Sequence, residues 1–451
     1  MSLAQNIKKT INYSKKNGYS EAFVAAWERV TEKYCADYDY LAPGREVLDA
    51  QRNDKSVSDI KFSILVPAYE TQAVYMNALI DSCIGQTYEN WELIIADGSS
   101  SDIVKDTVDK YTDARIKYVR LAENKGIAEN TNQAIDHATG DYYGLLDHDD
   151  MLTLDALYEM AHAIQESRPI IAYSDEDKCD TSGKHFYDPH FKLDFNLDLI
   201  LTNNYICHLM VVRADVLRKL RIRKEYDGSQ DYDIILRVVS GLLLKEKENK
   251  DAAPVEEAVV HVPKVLYHWR CHENSTAENP QSKMYAYEAG KKALIDFASR
   301  MGWKVDVRHN KHLGFYRIEY GDSVLTHRPD LAAVGGFVAR HGKVASGIYE
   351  GHPVLYAGYM NRMDLFQNTH LLDIRNMAVN KAYQGLYEEV TGHPYESTLY
   401  SENRGLPQWI YDMDRTAGGS QKLSELSEKL SRCLTENGAR LLLDPVCVRK
   451  L

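Results

Sequence analysis

The 451-residue sequence lacks several features that would place it in other classes of protein. It has no apolar run near the roughly 18 residues that a membrane-spanning helix requires. Its first residues, MSLAQNIKKTINY, contain no apolar signal-peptide core. The seven cysteines are scattered without a CxxC pair, which argues against a disulfide framework and a cysteine zinc site. We therefore expect a cytoplasmic protein.

The sequence also has no surplus of basic residues. The formal net charge of −12 argues against a protein whose main task is to bind nucleic acid. The basic run RADVLRKLRIRK at 213–224 is an exception, and it predicts a solvated helix face or, alternatively, contact with an anionic membrane surface or a lipid-borne acceptor. A peripheral position at the inner face of the membrane and a homo-oligomer both stay open.

What the chain does have is the composition of a globular protein, with 44% hydrophobic and 27% charged residues, and a length that suits two or three domains. Periodic apolar residues over 5–35 predict a helical extension, and the polar stretch DAQRNDKSVSD at 49–59 predicts a linker. We therefore expect a helical N-terminal extension at 1–59, an α/β domain at 60–305 and a further α/β domain at 306–451.

From residue 61 the pattern changes to short, continuous apolar runs that alternate with helical segments. Strands are predicted at 62–66, 91–96, 116–120 and 142–146, and helices at 75–86, 102–111 and 126–138. Continuous apolar runs are typical of strands buried on both faces, so the alternation predicts a mostly parallel sheet with helices on both faces. In such sheets the ligand cleft lies beyond the carboxyl ends of the strands.

An acidic string, LLDHDD, follows the fourth predicted strand and contains Asp147, Asp149 and Asp150. Carboxylates this close repel one another, and Mg²⁺ or Mn²⁺ would neutralise them and bridge the phosphates of a nucleotide. For Asp150 the alternative is the acidic N-terminus of a helix in MLTLDALYEM.

Polar residues also follow the second and third strands. Asp97 ends the second strand and could accept hydrogen bonds from a base or ribose, although Asp-Gly-Ser is equally a plain turn. Lys125 and Gly126 open a helix whose backbone N–H groups, with one cation, could meet phosphate.

Two later segments carry further candidates. Asp231 precedes an apolar-periodic helix, so it is either an N-terminal cap or a base at the edge of the cleft. The run PKVLYHWRCHENSTA at 263–277 supplies His272 as an imidazole metal ligand and Arg270 as a guanidinium for pyrophosphate. A zinc site formed by His268 and His272 is the competing interpretation.

Together these strings resemble the family 2 glycosyltransferases, which have a GT-A fold. The matching stretches lie in the family's order over about 61–305: SILVPAYE, QTYENWELIIADGSSSD, NKGIAENTNQAIDHATGDYYGLLDHDD, GSQDYDIILRV and VLYHWRCHENSTA. The stretches AYSDEDK and FKLDFNLDLI also look like the branch that acts on bacterial surface polysaccharides, including rhamnose-rich ones. Several motifs in register make the resemblance specific.

The resemblance implies a role for each matching residue. The donor side would consist of Pro67, Tyr69, Glu70, Asp97, Lys125, Asp147, His148 and Arg270. Asp149 and His272 would hold Mn²⁺ or Mg²⁺, and Asp231 would be the catalytic base. The acceptor side would include Gln230, at a point where the family often has Glu, together with Asp175 and Glu176. A solvated acidic loop over 175–177 is the alternative.

These roles imply an inverting, metal-dependent transferase. It would move a hexosyl or rhamnosyl group from a UDP- or dTDP-linked donor to a saccharide or lipid-linked saccharide in surface-polysaccharide synthesis. A sugar nucleotidyltransferase also stays open, although it would normally carry a Gly-rich phosphate loop near its first strand. A non-catalytic sugar-binding or scaffold protein would not need Asp149, Asp231 and His272 together.

The C-terminal part echoes the acceptor half of the α/β domain. RPIIAYSDEDKCDTSGK at 168–184 is similar to RPDLAAVGGFVARHGK at 328–343, and two further pairs follow in the same order. These are MVVRADVLRKL (210–220) with MAVNKAYQGL (377–386), and SQDYDIILRVV (229–239) with SQKLSELSEKL (420–430). The echo lacks an LLDHDD string and has Lys422 in place of Asp231, so it predicts a noncatalytic, degenerate repeat, with chance similarity as the alternative.

Overall fold

The computed structural model describes residues 38–57, 59–249, 252–272, 284–310, 313–320, 324–345, 372–395, 408–415 and 419–450. The chain divides into two compact units, Tyr38–Glu319 and a second that combines Tyr320–Leu451 with Met1–Asp37. The predicted helical extension at 5–35 lies outside the described residues. The predicted domain boundaries at 60 and 306 stay a prediction, which these compact units do not decide.

The first unit contains a nine-stranded sheet in the order β3-β2-β1-β4-β8-β6-β9-β5, with β7 paired to β6. Its strands are β1 (Phe62–Ala68), β2 (Trp91–Asp97), β3 (Ile116–Arg120), β4 (Tyr142–Leu145), β5 (Met151–Leu152), β6 (Ile171–Cys179), β7 (Phe186–His190), β8 (Met210–Arg213) and β9 (Val259–Arg270). A separate hairpin consists of β10 (Asp306–His309) and β11 (Tyr316–Glu319).

Helices flank this sheet. They are α1 (Arg45–Asn53), α2 (Ala73–Ile84), α3 (Ile103–Val108), α4 (Ile127–His137), α5 (Ala156–Ser167), α6 (Leu197–Ile200), α7 (Ala214–Leu220), α8 (Gln230–Glu248), α9 (Val255–Ala258) and α10 (Met284–Arg300). No helix among the described residues is both long and apolar enough to cross a bilayer.

The predicted fold class is confirmed. Strands β1 to β4 begin and end within two residues of their predicted positions, and β1 pairs in parallel with both β2 and β4. Beyond β4 the sheet is mixed, because β8 pairs antiparallel with both β4 and β6. The strands β1 and β2 are buried along almost their whole length, which is why their sequences are continuous apolar runs rather than alternating ones.

Two local predictions are wrong. The stretch 49–53, predicted as linker, is the last part of α1, and the Gln51 side chain is buried where it bonds to Glu159 and Thr87. The helix expected directly after Asp150 begins only at Ala156, because the short strand β5 comes first.

The second unit contains a smaller sheet. Its strands are β12 (Leu331–Arg340), β13 (Lys343–Val344), β14 (Met377–Val379) and β15 (Arg440–Lys450), and its helices are α11 (Val324–His327), α12 (Gln384–Thr391), α13 (Gln408–Arg415) and α14 (Gly419–Glu436). In this sheet β12 pairs antiparallel with β13 and β14, and parallel with β15. In the first unit β6 likewise pairs antiparallel with β7 and β8, and parallel with β9.

Candidate active site

The carboxyl ends of the first strands meet at one edge of the sheet. The last residue of β1, Ala68, pairs with Asp97 at the end of β2, and Leu65 pairs with Leu145 at the end of β4. The predicted site residues that follow these strands therefore share this edge. Pro67 is half-buried in β1, whereas Tyr69, the first residue after this strand, is 48% exposed.

Glu70 shapes the loop that follows β2. Its carboxylate accepts hydrogen bonds from the backbone and hydroxyl groups of Ser100 and Ser101, at 2.6–3.1 Å. These hydrogen bonds, led by the Ser101 hydroxyl, lower the pKa of Glu70 to about 2. Glu70 has a backbone φ of 48°, and its N–H donates to the Ser99 hydroxyl at 2.7 Å. The carboxylate thus holds the 99–101 loop in place.

Asp97 is fully buried at the end of β2. One carboxylate oxygen accepts from the Tyr118 hydroxyl at 2.7 Å and from Arg120 at 3.2 Å, and the other accepts from the Ser99 backbone at 2.9 Å. Because the protein itself supplies these donors, Asp97 has a fixed position at the carboxyl end of β2.

The predicted phosphate-binding helix start lies at α4. Lys125 is exposed, and its ammonium group is 3.0 Å from Glu123. The Ala128 backbone N–H at the start of α4 donates to the Asp227 carboxylate at 2.9 Å. A carboxylate of the chain therefore contacts one of the amides that could meet phosphate, and the role of Lys125 stays a prediction.

Asp150 is a fully buried anchor and not the start of a helix. It accepts from the Tyr267 hydroxyl at 2.5 Å and from the Arg270 backbone at 2.7 Å, both in β9. Burial raises its pKa well above the ordinary value, and the charges of Asp149 and Asp147 add to the rise. Asp150 thus ties the acidic string to β9.

Asp149 and His272 contact each other, with 2.7 Å between a carboxylate oxygen and the ring Nε2. The His272 ring stacks on Tyr75, and the Arg270 guanidinium lies 4.9 Å from the same Tyr75 ring. Arg270 also donates to the Asp149 carbonyl at 2.7 Å and to the Thr181 carbonyl at 2.9 Å. The predicted metal pair and the predicted diphosphate residue therefore lie together. His148 lies nearby, 3.0 Å from the Thr71 hydroxyl.

Within the described ranges, no group of three or more His, Cys, Asp or Glu side chains is spaced to hold a metal ion. Asp149 and His272 together offer one carboxylate and one imidazole. Mg²⁺ in nucleotide sites is typically held by one or two carboxylates and completes its shell with phosphate and water. The residues present therefore fit a metal that arrives with a nucleotide. His268 does not add to this pair, because its ring bonds to Asp177 at 2.5 Å and packs against Tyr40 and Phe186.

Asp147 faces the later part of the chain. Its side chain is 44% exposed and lies 3.8 Å from the His208 ring. Desolvation in the cleft raises the pKa of Asp147, and the charges of Asp149 and Asp231 add to the rise, whereas His208 opposes it. Asp149 and Asp231 are thus both close enough for their charges to act on Asp147.

His208 joins Asp147 to the predicted acceptor side. Its backbone N–H and its ring Nδ1 both contact one oxygen of Glu176, at 2.8 and 3.1 Å. Burial alone would lower the pKa of His208, but the hydrogen bond and charge of Glu176, with Asp147 and Asp150, raise it to about 9. Burial also opposes ionisation of Glu176, yet the Lys192 charge and bonds from two histidines hold its pKa well below the ordinary value.

The solvated loop considered for 175–177 is wrong, since these residues lie in β6 with buried side chains. Asp175 accepts from His261 and from the Lys192 backbone, both at 2.8 Å. Asp177 accepts from the Tyr38 hydroxyl at 2.8 Å. Each carboxylate has partners within the unit, so an acceptor role for Asp175 or Glu176 stays a prediction.

Asp231 lies in the first turn of α8. Its carboxylate accepts from the Asn204 amide at 3.0 Å, and burial together with the charge of Asp231 raises the pKa of the Cys207 thiol well above the ordinary value. Gln230 turns back to accept from the Gly228 backbone at 2.8 Å. Asn204 and His208 were not found from the sequence, because NYICH has no strand or helix periodicity and both act through partners distant in the chain.

The arginines of the basic run have partners within the same unit. Arg213 pairs with Asp215, Arg221 pairs with Asp136, and Arg223 pairs with Asp233. Contact of this run with a membrane surface stays a prediction.

Comparison with known proteins bears on the same region, because residues 63–221 match the model of Glycosyl transferase family 2. These residues are a family 2 glycosyltransferase domain. The matched range of this family 2 domain includes Asp97, Asp147, Asp149 and Glu176 but ends before Asp231, Arg270 and His272.

Two relatives extend the similarity beyond the family 2 domain. The uncharacterized protein y4gI of Sinorhizobium fredii is 36% identical over 243 residues, which are 53% of this chain and 25% of that protein. The O-antigen biosynthesis protein RfbC of Myxococcus xanthus is 25% identical over 296 residues, which are 63% of this chain and 22% of that protein. The chain thus spans about a quarter of the length of these relatives.

Among solved structures, TarS 1-349 of S. aureus in complex with UDP-GlcNAc is similar to 54% of this chain, over 66% of its own length. The TM-score is 0.40 and the sequence identity is 18%. Similarity of this size carries no information about function.

Proposed function

We propose that this protein is an inverting, metal-dependent glycosyltransferase. It would move a hexosyl or rhamnosyl group from a UDP- or dTDP-linked donor to a saccharide or lipid-linked saccharide. The observation that carries the proposal is that one short segment, Asn204–His208, contacts Asp231 at one end and Asp147 at the other. The two carboxylates therefore share one neighbouring segment, and Asp147 follows β4 at the edge where α/β sheets bind nucleotides.

The donor side suits a nucleotide. Tyr69 offers an exposed ring against which a base could stack, and Asp97 and Glu70 keep the adjoining loop in one shape. The Asp147 carboxylate is accessible, so it could accept a hydrogen bond from a ribose hydroxyl. Arg270 is buried beside the Asp149–His272 pair, and one of its guanidinium nitrogens has no hydrogen-bond partner among the described residues, so a diphosphate oxygen could fill that place.

The proposed reaction is a single displacement at the anomeric carbon, with Asp231 as the base. As the acceptor hydroxyl oxygen forms a bond to the anomeric carbon, its proton moves to the Asp231 carboxylate. The bond from the anomeric carbon to the diphosphate oxygen breaks at the same time, and the nucleoside diphosphate leaves with that electron pair. Attack from the face opposite the leaving group inverts the anomeric carbon, so no covalent enzyme intermediate is required.

A bound Mn²⁺ or Mg²⁺ would be held by Asp149 and His272 and would offset the negative charge of the leaving diphosphate. The 2.7 Å contact between these two side chains supports this assignment, because neighbouring ligands of one ion lie close together. Arg270 would orient the diphosphate from the same side.

The relatives support the class of product. RfbC of Myxococcus xanthus, similar over 63% of this chain, is named as an O-antigen biosynthesis protein. A role in building a cell-surface polysaccharide is consistent with that name and with the family 2 match over 63–221.

A donor panel tests the proposal. The protein is incubated with UDP-glucose, UDP-N-acetylglucosamine and dTDP-rhamnose in Mn²⁺, Mg²⁺ or EDTA, and release of UDP or dTDP is measured with and without sugar acceptors. We expect release that requires the metal, and a product whose anomeric configuration, read by NMR, is inverted. Release of pyrophosphate from a nucleoside triphosphate and a sugar phosphate would indicate a nucleotidyltransferase instead. Sugar binding without turnover would indicate a scaffold.

A further inference from the structure

Asn204 contacts the proposed base from the segment between α6 and β8. Its Nδ2 donates to the Asp231 carboxylate at 3.0 Å. Because an ionised carboxylate only accepts hydrogen bonds, the contact fixes which end of the Asn204 amide faces Asp231. The other end, Oδ1, is buried and has no hydrogen-bond partner within the described part of the chain.

The neighbours of Asn204 hold its backbone on both sides. The preceding residue, Asn203, forms a β-bridge with Phe315, and its side chain donates to the Gly314 carbonyl at 3.0 Å. The following residue, Tyr205, is fully buried, and its hydroxyl accepts from the Asn196 backbone at 2.8 Å. Asn204 is therefore presented to Asp231 by a fixed framework.

This arrangement is unfavourable for stability alone. A buried carbonyl oxygen without a partner has lost its hydrogen bonds to water and gained none in return. A residue selected only for stability would satisfy both ends of its amide, and departures from local consistency are typical of functional sites. The end that is satisfied is the one that contacts the proposed base.

Resting on the proposed function, we infer that Asn204 is a positioning residue that holds the Asp231 carboxylate in the orientation in which it accepts the acceptor proton. Asn204 does not take part in proton transfer. It fills the place of the third group that orients the base at many nucleophile–base sites. An Asp carboxylate has lone pairs on two oxygens, so the bond from Asn204 leaves capacity for the acceptor hydroxyl.

Two adjacent asparagines allow a matched test, because each makes one side-chain hydrogen bond but to a different kind of partner. In Asn204→Ala we expect nucleotide release to fall about 10- to 100-fold, less than the roughly 100- to 10,000-fold contribution of a general base. Donor affinity and the thermal midpoint should stay unchanged, or the midpoint should rise because the buried oxygen is gone. In Asn203→Ala we expect the reverse order of effects: the thermal midpoint falls, and turnover of the folded protein falls less than in Asn204→Ala, because the backbone β-bridge between Asn203 and Phe315 is kept.

Asn204→Asp keeps the shape of the side chain but replaces the donor with an acceptor. It should lose turnover as Asn204→Ala does, which separates loss of the hydrogen bond from loss of volume. Turnover is measured as UDP release from UDP-glucose and dTDP release from dTDP-rhamnose in Mn²⁺, using whichever donor the wild-type protein consumes. Donor affinity is measured by titration calorimetry.

Asp231→Asn in the same assay distinguishes the two claims. If Asp231→Asn is inactive while Asn204→Ala and Asn204→Asp keep wild-type turnover, the positioning role is wrong and the proposed function stands. If Asp231→Asn keeps near-normal turnover, or if the wild-type protein consumes no donor, the proposed base is wrong and the role of Asn204 falls with it. A fall in turnover that matches a fall in thermal midpoint would make Asn204 merely structural.

Discussion

The sheet around β6 in the first unit and the sheet around β12 in the second share one arrangement. In each, a central strand has two antiparallel partners and one parallel partner, and a long helix precedes the parallel partner. Ile171 pairs with Val212 in the first sheet, and Ala333 pairs with Val379 in the second. If Val379 is the counterpart of Val212, then Ala333 is the counterpart of Ile171, whereas the sequence echo aligns Ile171 with Leu331. An offset of two residues leaves the same face of the strand inward.

The two sheets differ in what they bury. In β6 the residues after the register shift are Asp175, Glu176 and Asp177, which are buried and bonded to partners in the same unit. At the corresponding point after a register shift, β12 has Phe337, Val338 and Ala339. The same strand pairing is thus maintained with and without charge. The fold needs only apolar burial here, whereas the carboxylates require partners and suit a functional site.

The helices and loops around the two sheets show the same contrast. Asp231, held by Asn204, lies at the start of α8, whereas exposed Lys422 lies at the start of α14. His208 precedes β8 by two residues and bridges Glu176 and Asp147. Arg375 precedes β14 by two residues and pairs with Asp373 at 2.8 Å. The two sheets thus share a strand pairing but not these charged side chains, and the degenerate repeat itself stays a prediction.

The largest expected difference is in nucleotide release, between a variant of Asp231 and a variant of Lys422. Asp231→Asn should lower nucleotide release by about 100- to 10,000-fold, because the amide cannot accept the acceptor proton, while donor affinity stays unchanged. Lys422→Ala should leave release unchanged. Initial rates of UDP or dTDP release, with donor affinity from calorimetry, check both. Near-normal turnover in Asp231→Asn would contradict the assignment of the base, and a loss in Lys422→Ala would show that the second unit takes part in the reaction.

Variants of Glu176 and Val338 should lose stability by different amounts. Glu176→Ala should destabilise the first unit by about 3–5 kcal/mol at neutral pH, because buried Lys192 and partly buried His208 lose their partner. Val338→Ala should destabilise the second unit by about 1–2 kcal/mol, since it removes only apolar contacts. Urea unfolding, followed by hydrogen exchange at β6 and at β12, measures the unfolding free energy of each unit separately. Equal losses of stability in the two variants would mean that the buried carboxylate matters no more to this strand than an apolar side chain does.

The pH dependence of stability should also differ between the two units. The folded pKa of His208 is about 9, above its ordinary 6.5, so its stabilisation is complete below about pH 6.5 and is lost as the pH rises through about 9. The loss is at most about 3 kcal/mol. His208→Gln should flatten this dependence in the first unit. The second unit has Arg375 at that point, and an arginine keeps its charge over this range, so its stability should not change. Urea midpoints at pH 6, 7.5 and 9 decide whether the two units respond alike.

Much of the fold could be predicted from the sequence because its signals are local. Continuous apolar runs predicted β1 to β4 nearly to the residue, and the acidic string after β4 made Asp147 and Asp149 candidate site residues. The partners of Asp150 could not be found in this way, because Tyr267 and Arg270 lie more than 100 residues along the chain. Asn204 and His208 were missed because their segment has no strand or helix periodicity and their partners, Asp231 and Glu176, lie 27 and 32 residues away.

The smallest expected effect comes from returning a carboxylate to the second unit. Lys422→Asp places a negative charge in the first turn of α14, where the helix dipole should favour it by about 0.3–1 kcal/mol. The gain should fall at the low end of that range, because Glu425 lies three residues further along the same helix face and repels it. Thermal unfolding at low and high salt measures the gain, which salt should diminish. Nucleotide release should not change, since the second unit has neither an LLDHDD string nor, at β12, the acids of β6. Any increase in release would mean that the second unit keeps part of a site, and the contrast between the two sheets would then be one of degree.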